Sequence, residues 1–237
     1  LKVHLFVPCL VDQFTPQVAA ASAKLLKAAG HEVIIPTNQT CCGQPAFNSG
    51  YWNEARRVVH HLKSAFQDAE IIVGPSGSCI SMMKNHYEEL GMALDESVKI
   101  YEIVEFLNEY GSTLKFKPTP GKVILHDACH ALREMGLYEQ PRQMLRRVPD
   151  LEIIELEDHQ ACCGFGGTFS VKMSDLSLDM AGQKVNAIQR SGADFVVSLD
   201  GGCLMNIQST AEGLGVKLRT KHVVEILADA LLPDMDR

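Results

Sequence analysis

TNQTCCGQPAFNSG, residues 37–50, and ACCGFGGTFS, residues 161–170, each carry a Cys-Cys-Gly triplet: Cys41-Cys42-Gly43 and Cys162-Cys163-Gly164. Each doublet has one cysteine upstream and one downstream. Cys9, Cys41, Cys42 and Cys79 are separated by steps of 32, 1 and 37, and Cys129, Cys162, Cys163 and Cys203 by steps of 33, 1 and 40. The two sets use all eight cysteines of the 237-residue chain. Repetition extends beyond them: Val104-Glu105-Phe106-Leu107 returns as Val224-Glu225-Ile226-Leu227, 120 residues on, the offset that also relates Cys9 to Cys129. Tandem duplication of one unit accounts for both observations. The expected units are residues 1–113 and 122–237, with 114–121, containing Pro118 and Pro120, as the linker.

Outward from the triplets, strand and helix signals alternate. Val3 to Val7 is a predicted strand closed by Pro8; Pro16 to Ala29 is a helix with Pro at its start and Gly30 at its end. His31 to Ile35 is a strand, Glu54 to Ala69 an amphipathic helix, and Ile71 to Val73 a buried strand. Cys79 opens a helix reaching about Leu90, then a strand near Val98-Lys99-Ile100 and a helix from Val104 to Tyr110 end the unit. The second unit repeats the order: strand Lys122 to His126, helix Gln140 to Arg147, strand Leu151 to Leu156, helix Ser174 to Arg190, strand Phe195 to Leu199 and a helix at Cys203. Val216-Lys217-Leu218 then matches Val98-Lys99-Ile100. The fold class is α/β, each unit a mostly parallel sheet flanked by helices. Ligands of such open sheets gather beyond the carboxyl ends of the strands, and every cysteine falls there. Cys79 and Cys203 also stand near helix starts, where the helix N-terminus favours thiolate.

With 46% hydrophobic and 22% charged residues the composition is that of an ordinary globular protein. No apolar run approaches the roughly 18 residues of a membrane span. KVHLFVP, residues 2–8, is too short for a signal-peptide core, which sets the expectation of a reducing, cytoplasmic setting. A net charge of −7, spread without blocks, argues against nucleic acid or anionic membrane as partner. Disulfides are disfavoured in that setting, and unrelated core cysteines would not repeat a doublet with both flanking distances. Metal ligation explains the pattern. Zinc accepts four thiolates but is usually held by close Cys-x₂-Cys pairs, and adjacent side chains diverge on an extended backbone. A polynuclear iron–sulfur cluster is wider and offers separate irons to neighbouring sulfurs. Gly43 and Gly164 would permit the tight turn and close backbone approach. Spacing therefore favours iron–sulfur, with zinc kept as the alternative.

The chain resembles the cysteine-rich CCG-domain family, whose motif is a lone cysteine, a long spacer, Cys-Cys-Gly, a second long spacer and a closing Cys-x-x-Cys. Relatives include the cysteine-rich subunit of the heterodisulfide reductases and the iron–sulfur subunit of glycolate oxidase. With two units, no N-terminal ferredoxin-type domain, and the strings CCGQPAFNSG and CCGFGGTFSVKM, it looks most like the lactate-utilization protein A group. That resemblance implies a cytoplasmic iron–sulfur component of an oxidoreductase, acting with a ferredoxin-like iron–sulfur protein and a third small subunit to oxidise L-lactate, a small 2-hydroxy acid, to pyruvate. One departure matters: the closing Cys-x-x-Cys is Ser76-x-x-Cys79 here and Asp200-x-x-Cys203 in the second unit. Four thiolates per unit fit an ordinary 4Fe–4S cluster, one or two per chain, with Ser76 or Asp200 as possible oxygen ligands. The thiol–disulfide chemistry of the heterodisulfide reductases is the competing reading, and a zinc-stabilised scaffold without enzymatic activity is the third.

His126, Asp127, His130 and Arg133 crowd around Cys129 without a counterpart in the first unit. His126, His130 and Arg133 are candidates for a substrate pocket, Arg133 gripping a carboxylate through its planar fork and a histidine relaying a proton. Equally, His126 could cap the sheet and Arg133 be a solvated helix residue. Gly164, Gly166 and Gly167 could cradle an anion with their N–H groups or simply pack against a cluster. Met82, Met83 and Met205 read as core, His60, His61 and Lys63 as a polar helix face, and Trp52 as a packing residue.

Overall fold

The computed structural model describes residues 1–233; the last four residues assigned to the second unit, 234–237, lie outside the described residues. Lys2–Leu5 forms β1, buried from Val3 onward as expected of a strand covered on both faces. Cys9–Phe14 (α1) and Pro16–Ala28 (α2) follow, then Glu32–Ile34 (β2), Gln44–Asn48 (α3), Trp52–Ala65 (α4), Ile71–Gly74 (β3) and Gly77–Ser81 (α5). A π-helical turn, Met82–His86, leads to Lys99–Glu102 (β4) and Ile103–Tyr110 (α6). The second unit comprises Gly121–His126 (β5), Cys129–Arg133 (α7), Glu139–Arg146 (α8), Leu151–Ile154 (β6), Phe169–Lys172 (α9), Ser174–Ser191 (α10), Phe195–Ser198 (β7), Gly201–Gly213 (α11), Thr220–His222 (β8) and Val223–Ala230 (α12). The sheets are separate, four-stranded and parallel, ordered β2-β1-β3-β4 and β6-β5-β7-β8. No helix among the described residues is long and apolar enough to cross a membrane.

Two expectations need correction. The helix beginning near Cys79 is one short α-helical turn that widens into the π-turn, so it ends before Leu90. The last strand is Thr220–His222, not Val216-Lys217-Leu218. Gly215 turns the chain at φ +69°, and Val216 N–H returns to Ala211 O at 2.8 Å, so Val216 serves the exit from α11. Only four residues later does the chain reach its register opposite Val196–Ser198.

Helix contacts between the units are reciprocal. α2 packs on α12 and α8 on α6; α1 packs on α11 and α7 on α5. Members of each pair exchange under the duplication, so the halves face each other about an approximate two-fold axis. Val3, Leu25 and Leu107 share one buried apolar cluster with Val123, Leu145 and Leu227. Side chains this fully buried each contribute about 1.5–3 kcal/mol, so neither half is complete alone. In the expected linker, 114–121, Leu114 and Phe116 are buried and Phe116 bridges Leu231, while Gly121 already begins β5.

Candidate metal centre

At the carboxyl ends of β1 and β3 the chain turns into α1 and α5, which start at or just before Cys9 and Cys79; the loop after β2 carries Cys41 and Cys42. Within the first unit the thiols influence one another's ionisation in the order Cys9, Cys41, Cys42, Cys79. The second unit gives the same order of coupling, Cys129, Cys162, Cys163, Cys203, with Cys163 Sγ and Cys203 Sγ within 4.8 Å of each other. All eight cysteines line a single cavity of about 330 Å³ between the halves. Sulfurs remote in sequence are thereby positioned for metal binding, and the two quartets share one cavity.

The surroundings favour thiolate at Cys41 in the first quartet and at both Cys162 and Cys203 in the second, Cys203 chiefly through the Cys163 thiol. Cys41 is pulled down to about 3, mainly by the Cys42 and Cys9 thiols, with Gly43 N–H assisting against the cost of burial. Cys162 is pulled down to about 2 by the Cys129 and Cys163 thiols, the Gly164 N–H and the nearby His126. Thiolate is the form a metal requires. Cys9 and Cys129, as donors to those anions and partly desolvated, are pushed up.

The doublets bend because a glycine follows them. Gly43 and Gly164 adopt φ +88° and +80°, and each N–H reaches back to the first sulfur of its doublet at 3.4 Å. A Cβ on Gly164 would stand 2.7 Å from Ser177 O, so α10 excludes any side chain there. The second cysteine's carbonyl is anchored in both units by different means: Tyr87 Oη donates to Cys42 O at 2.9 Å, and Asn206 Nδ2 to Cys163 O at 2.8 Å. Gly166 turns at φ +50° under Phe169, and Gly167 at φ +62° in open space; both line the cavity.

Ser76 and Asp200 are occupied elsewhere. Asp200 Oδ2 accepts from Ser76 Oγ (3.0 Å), Ser78 N (3.0 Å) and Ser78 Oγ (2.6 Å), while its Oδ1 caps α11 through Gly202 N (3.1 Å). Ser76 caps α5 through Cys79 N. Their oxygens join the two halves at the axis, so recruiting either as a metal ligand would break several hydrogen bonds.

The group around Cys129 divides. His126 is buried and points at Cys163 and Cys203. His130 lines the cavity, its Nε2 3.2 Å from Gln44 Nε2 across the interface. Arg133 does neither: its guanidinium lies on Gln160 O at the surface, outside the cavity lining, so it is not placed to grip a substrate there. Asp127 turns away into a network that sequence reasoning missed. Arg142, 1% exposed, makes paired hydrogen bonds to Asp127 (both 2.9 Å) and to Glu155 (2.7 and 2.8 Å), and lies 3.8 Å above the Tyr138 ring. His159 Nδ1 completes it at 2.8 Å from Asp127. This network ties the end of β5, the segment after β6 and the approach to Cys162 into one frame.

Comparison with known proteins bears on the same residues. The cysteine-rich domain family, CCG, matches residues 3–84 and 123–208. The chain is 42% identical over 236 residues to lactate utilization protein A of Macrococcus caseolyticus, covering 96% of each chain. It is 40% identical over 240 residues to that of Bacillus cytotoxicus, covering 96% of this chain and 98% of the other. Among solved structures, a hypothetical protein from Helicobacter pylori superposes with a TM-score of 0.65 at 10% identity. That match covers 98% of this chain and 49% of the other, and it speaks to the fold alone.

Proposed function

The chain belongs to the cysteine-rich CCG-domain family, in its lactate-utilization protein A group, and from that premise we propose that it is the iron–sulfur electron-transfer subunit of an assembly oxidising L-lactate to pyruvate. The observation that carries the reading is the convergence of four sulfurs in each half upon one shared cavity. An iron–sulfur cluster bound there supplies one-electron uptake and release.

Cys9, Cys41, Cys42 and Cys79 would hold the first centre, and Cys129, Cys162, Cys163 and Cys203 the second. Gly43 and Gly164 direct their N–H groups at the first sulfur of each doublet, a contact that tunes such centres. The lining is mostly apolar, and Cys42, Cys79, Cys163 and Cys203 are buried within it. Oxidation of lactate to pyruvate releases two electrons and two protons. We assign that removal to a partner subunit and the passage of the electrons, one at a time, to this chain. His130 with Gln44 is the polar pair through which a small 2-hydroxy acid or a proton would meet the cavity. One observation favours zinc instead: the donor atoms of His126, Cys163 and Cys203 all lie within 4.8 Å of one another, a donor set zinc accepts.

Protein purified without air, assayed for iron, acid-labile sulfide and zinc and measured by EPR, tests the reading. Iron and sulfide in equal amounts and a signal on reduction are expected, with reduction by lactate only when partner subunits are added. Zinc without sulfide would overturn it.

A further inference from the structure

His126 ends β5, and its ring is 2% exposed. Neither ring nitrogen has a nitrogen or oxygen partner among the described residues. A buried polar group left in that state is costly, and a ring with two of them calls for an occupant. What the ring does face is sulfur: one of its nitrogens, Cys163 Sγ and Cys203 Sγ lie mutually within 4.8 Å. The first half offers a direct control. Phe6 stands 120 residues earlier, immediately after β1, fully buried and with its ring centroid 6.2 Å from that of Phe66. Ser76 and Asp200, the other side chains that could extend either quartet, are committed to each other and to helix caps.

We propose that His126 is a nitrogen ligand of the metal centre in the second half, beside Cys163 and Cys203, so that the two centres of one chain are chemically different. The first is held by sulfur alone; the second by sulfur and imidazole. The inference rests on the reading that the quartets bind metal, but not on which metal. For iron–sulfur, a neutral imidazole among thiolates reduces the negative charge at the centre and raises its potential. Electrons would then run from the first half to the second.

The test uses the full chain. Cys41→Ser with Cys42→Ser removes the first centre, and pulsed EPR of the reduced protein then reports on the second alone. A strongly coupled nitrogen is expected, changing isotope when histidine is supplied as ¹⁵N, which needs no substitution at His126. The coupling should persist in His130→Gln and vanish in His126→Phe, the side chain the first half carries at this place, with the midpoint potential shifted down. Absence of strong nitrogen coupling, or its persistence in His126→Phe, overturns the proposal. Cobalt(II) titrated alone into the metal-free chain decides independently of iron. His126→Phe should weaken one of two binding events by about tenfold or more and change its visible spectrum; an unchanged titration overturns the proposal. Protein that holds no iron yet shows the cobalt effect would defeat the iron–sulfur reading and leave the histidine assignment standing.

Discussion

Gly164 and Gly167 share a loop and a left-handed backbone, yet substitution at the two should differ. At Gly167 nothing lies near a would-be Cβ, so Gly167→Ala meets only the conformational penalty of about 1–2 kcal/mol. At Gly164 the same penalty is joined by a contact with Ser177 O at 2.7 Å, and Gly164→Ala should cost about 3 kcal/mol or more in urea unfolding. Arg142→Ala should cost about 3–5 kcal/mol, because it strands the buried Asp127 carboxylate; Glu155, nearly half exposed, adds little to that loss. Cys42→Ser and Cys163→Ser should each lower metal content by the share of its own half, as measured on the purified full chain. The cysteines were legible because a doublet and two long spacings recur. Arg142 was not, since Glu-Gln-Pro-Arg-Gln-Met-Leu-Arg looks like a solvated helix. Nothing local says that its fourth residue turns inward to a carboxylate fifteen positions earlier.

Elements show the same division. Strands β1 to β7 lie within a few residues of where alternation and turn formers put them, because most are short apolar runs between Gly, Pro or charged residues. β8 escaped because Thr220-Lys221-His222 is polar and its position is set by pairing with β7. That strand ends in a cap with a pH signature. His222 Nδ1 accepts from Val224 N at 3.3 Å, and burial pushes the imidazole down to about 4. The unfolded chain protonates this residue near 6.5 while the fold keeps it neutral. Its contribution is therefore complete above that pH and is lost as pH falls toward 4, about 2 kcal/mol of it between pH 7 and 5. His222→Asn keeps a capping acceptor and should flatten that part of the stability–pH curve, followed by urea unfolding at several pH values. The corresponding cap on α6 is Glu102, held well above the usual carboxyl range by burial, and its sign is opposite. It favours the fold in acid and loses that contribution as pH rises past the unfolded value near 4.5.

For the whole molecule, duplication was visible in the sequence, but the meeting of both quartets in one cavity was not. Spacing fixes which residues share a unit; the relation between units depends on which helix faces are apolar, and α2, α6, α8 and α12 read as surface helices of a single sheet. The reciprocal packing of those helices gives a prediction. Residues 1–113 expressed alone should be insoluble or unfolded, and co-expressed with 114–237 the two pieces should copurify as a one-to-one complex. Folded, monomeric 1–113 would contradict this account of the interface. The contact at the axis carries a history as well as a structure. Between two identical chains, any group on the dyad meets its own copy, so serine would meet serine, or carboxylate would meet carboxylate and repel. Ser76 donating to Asp200 is available only to halves free to mutate apart. Joining the copies in one polypeptide lifted the rule that each face must suit itself, and opened separate careers for what had been a single site.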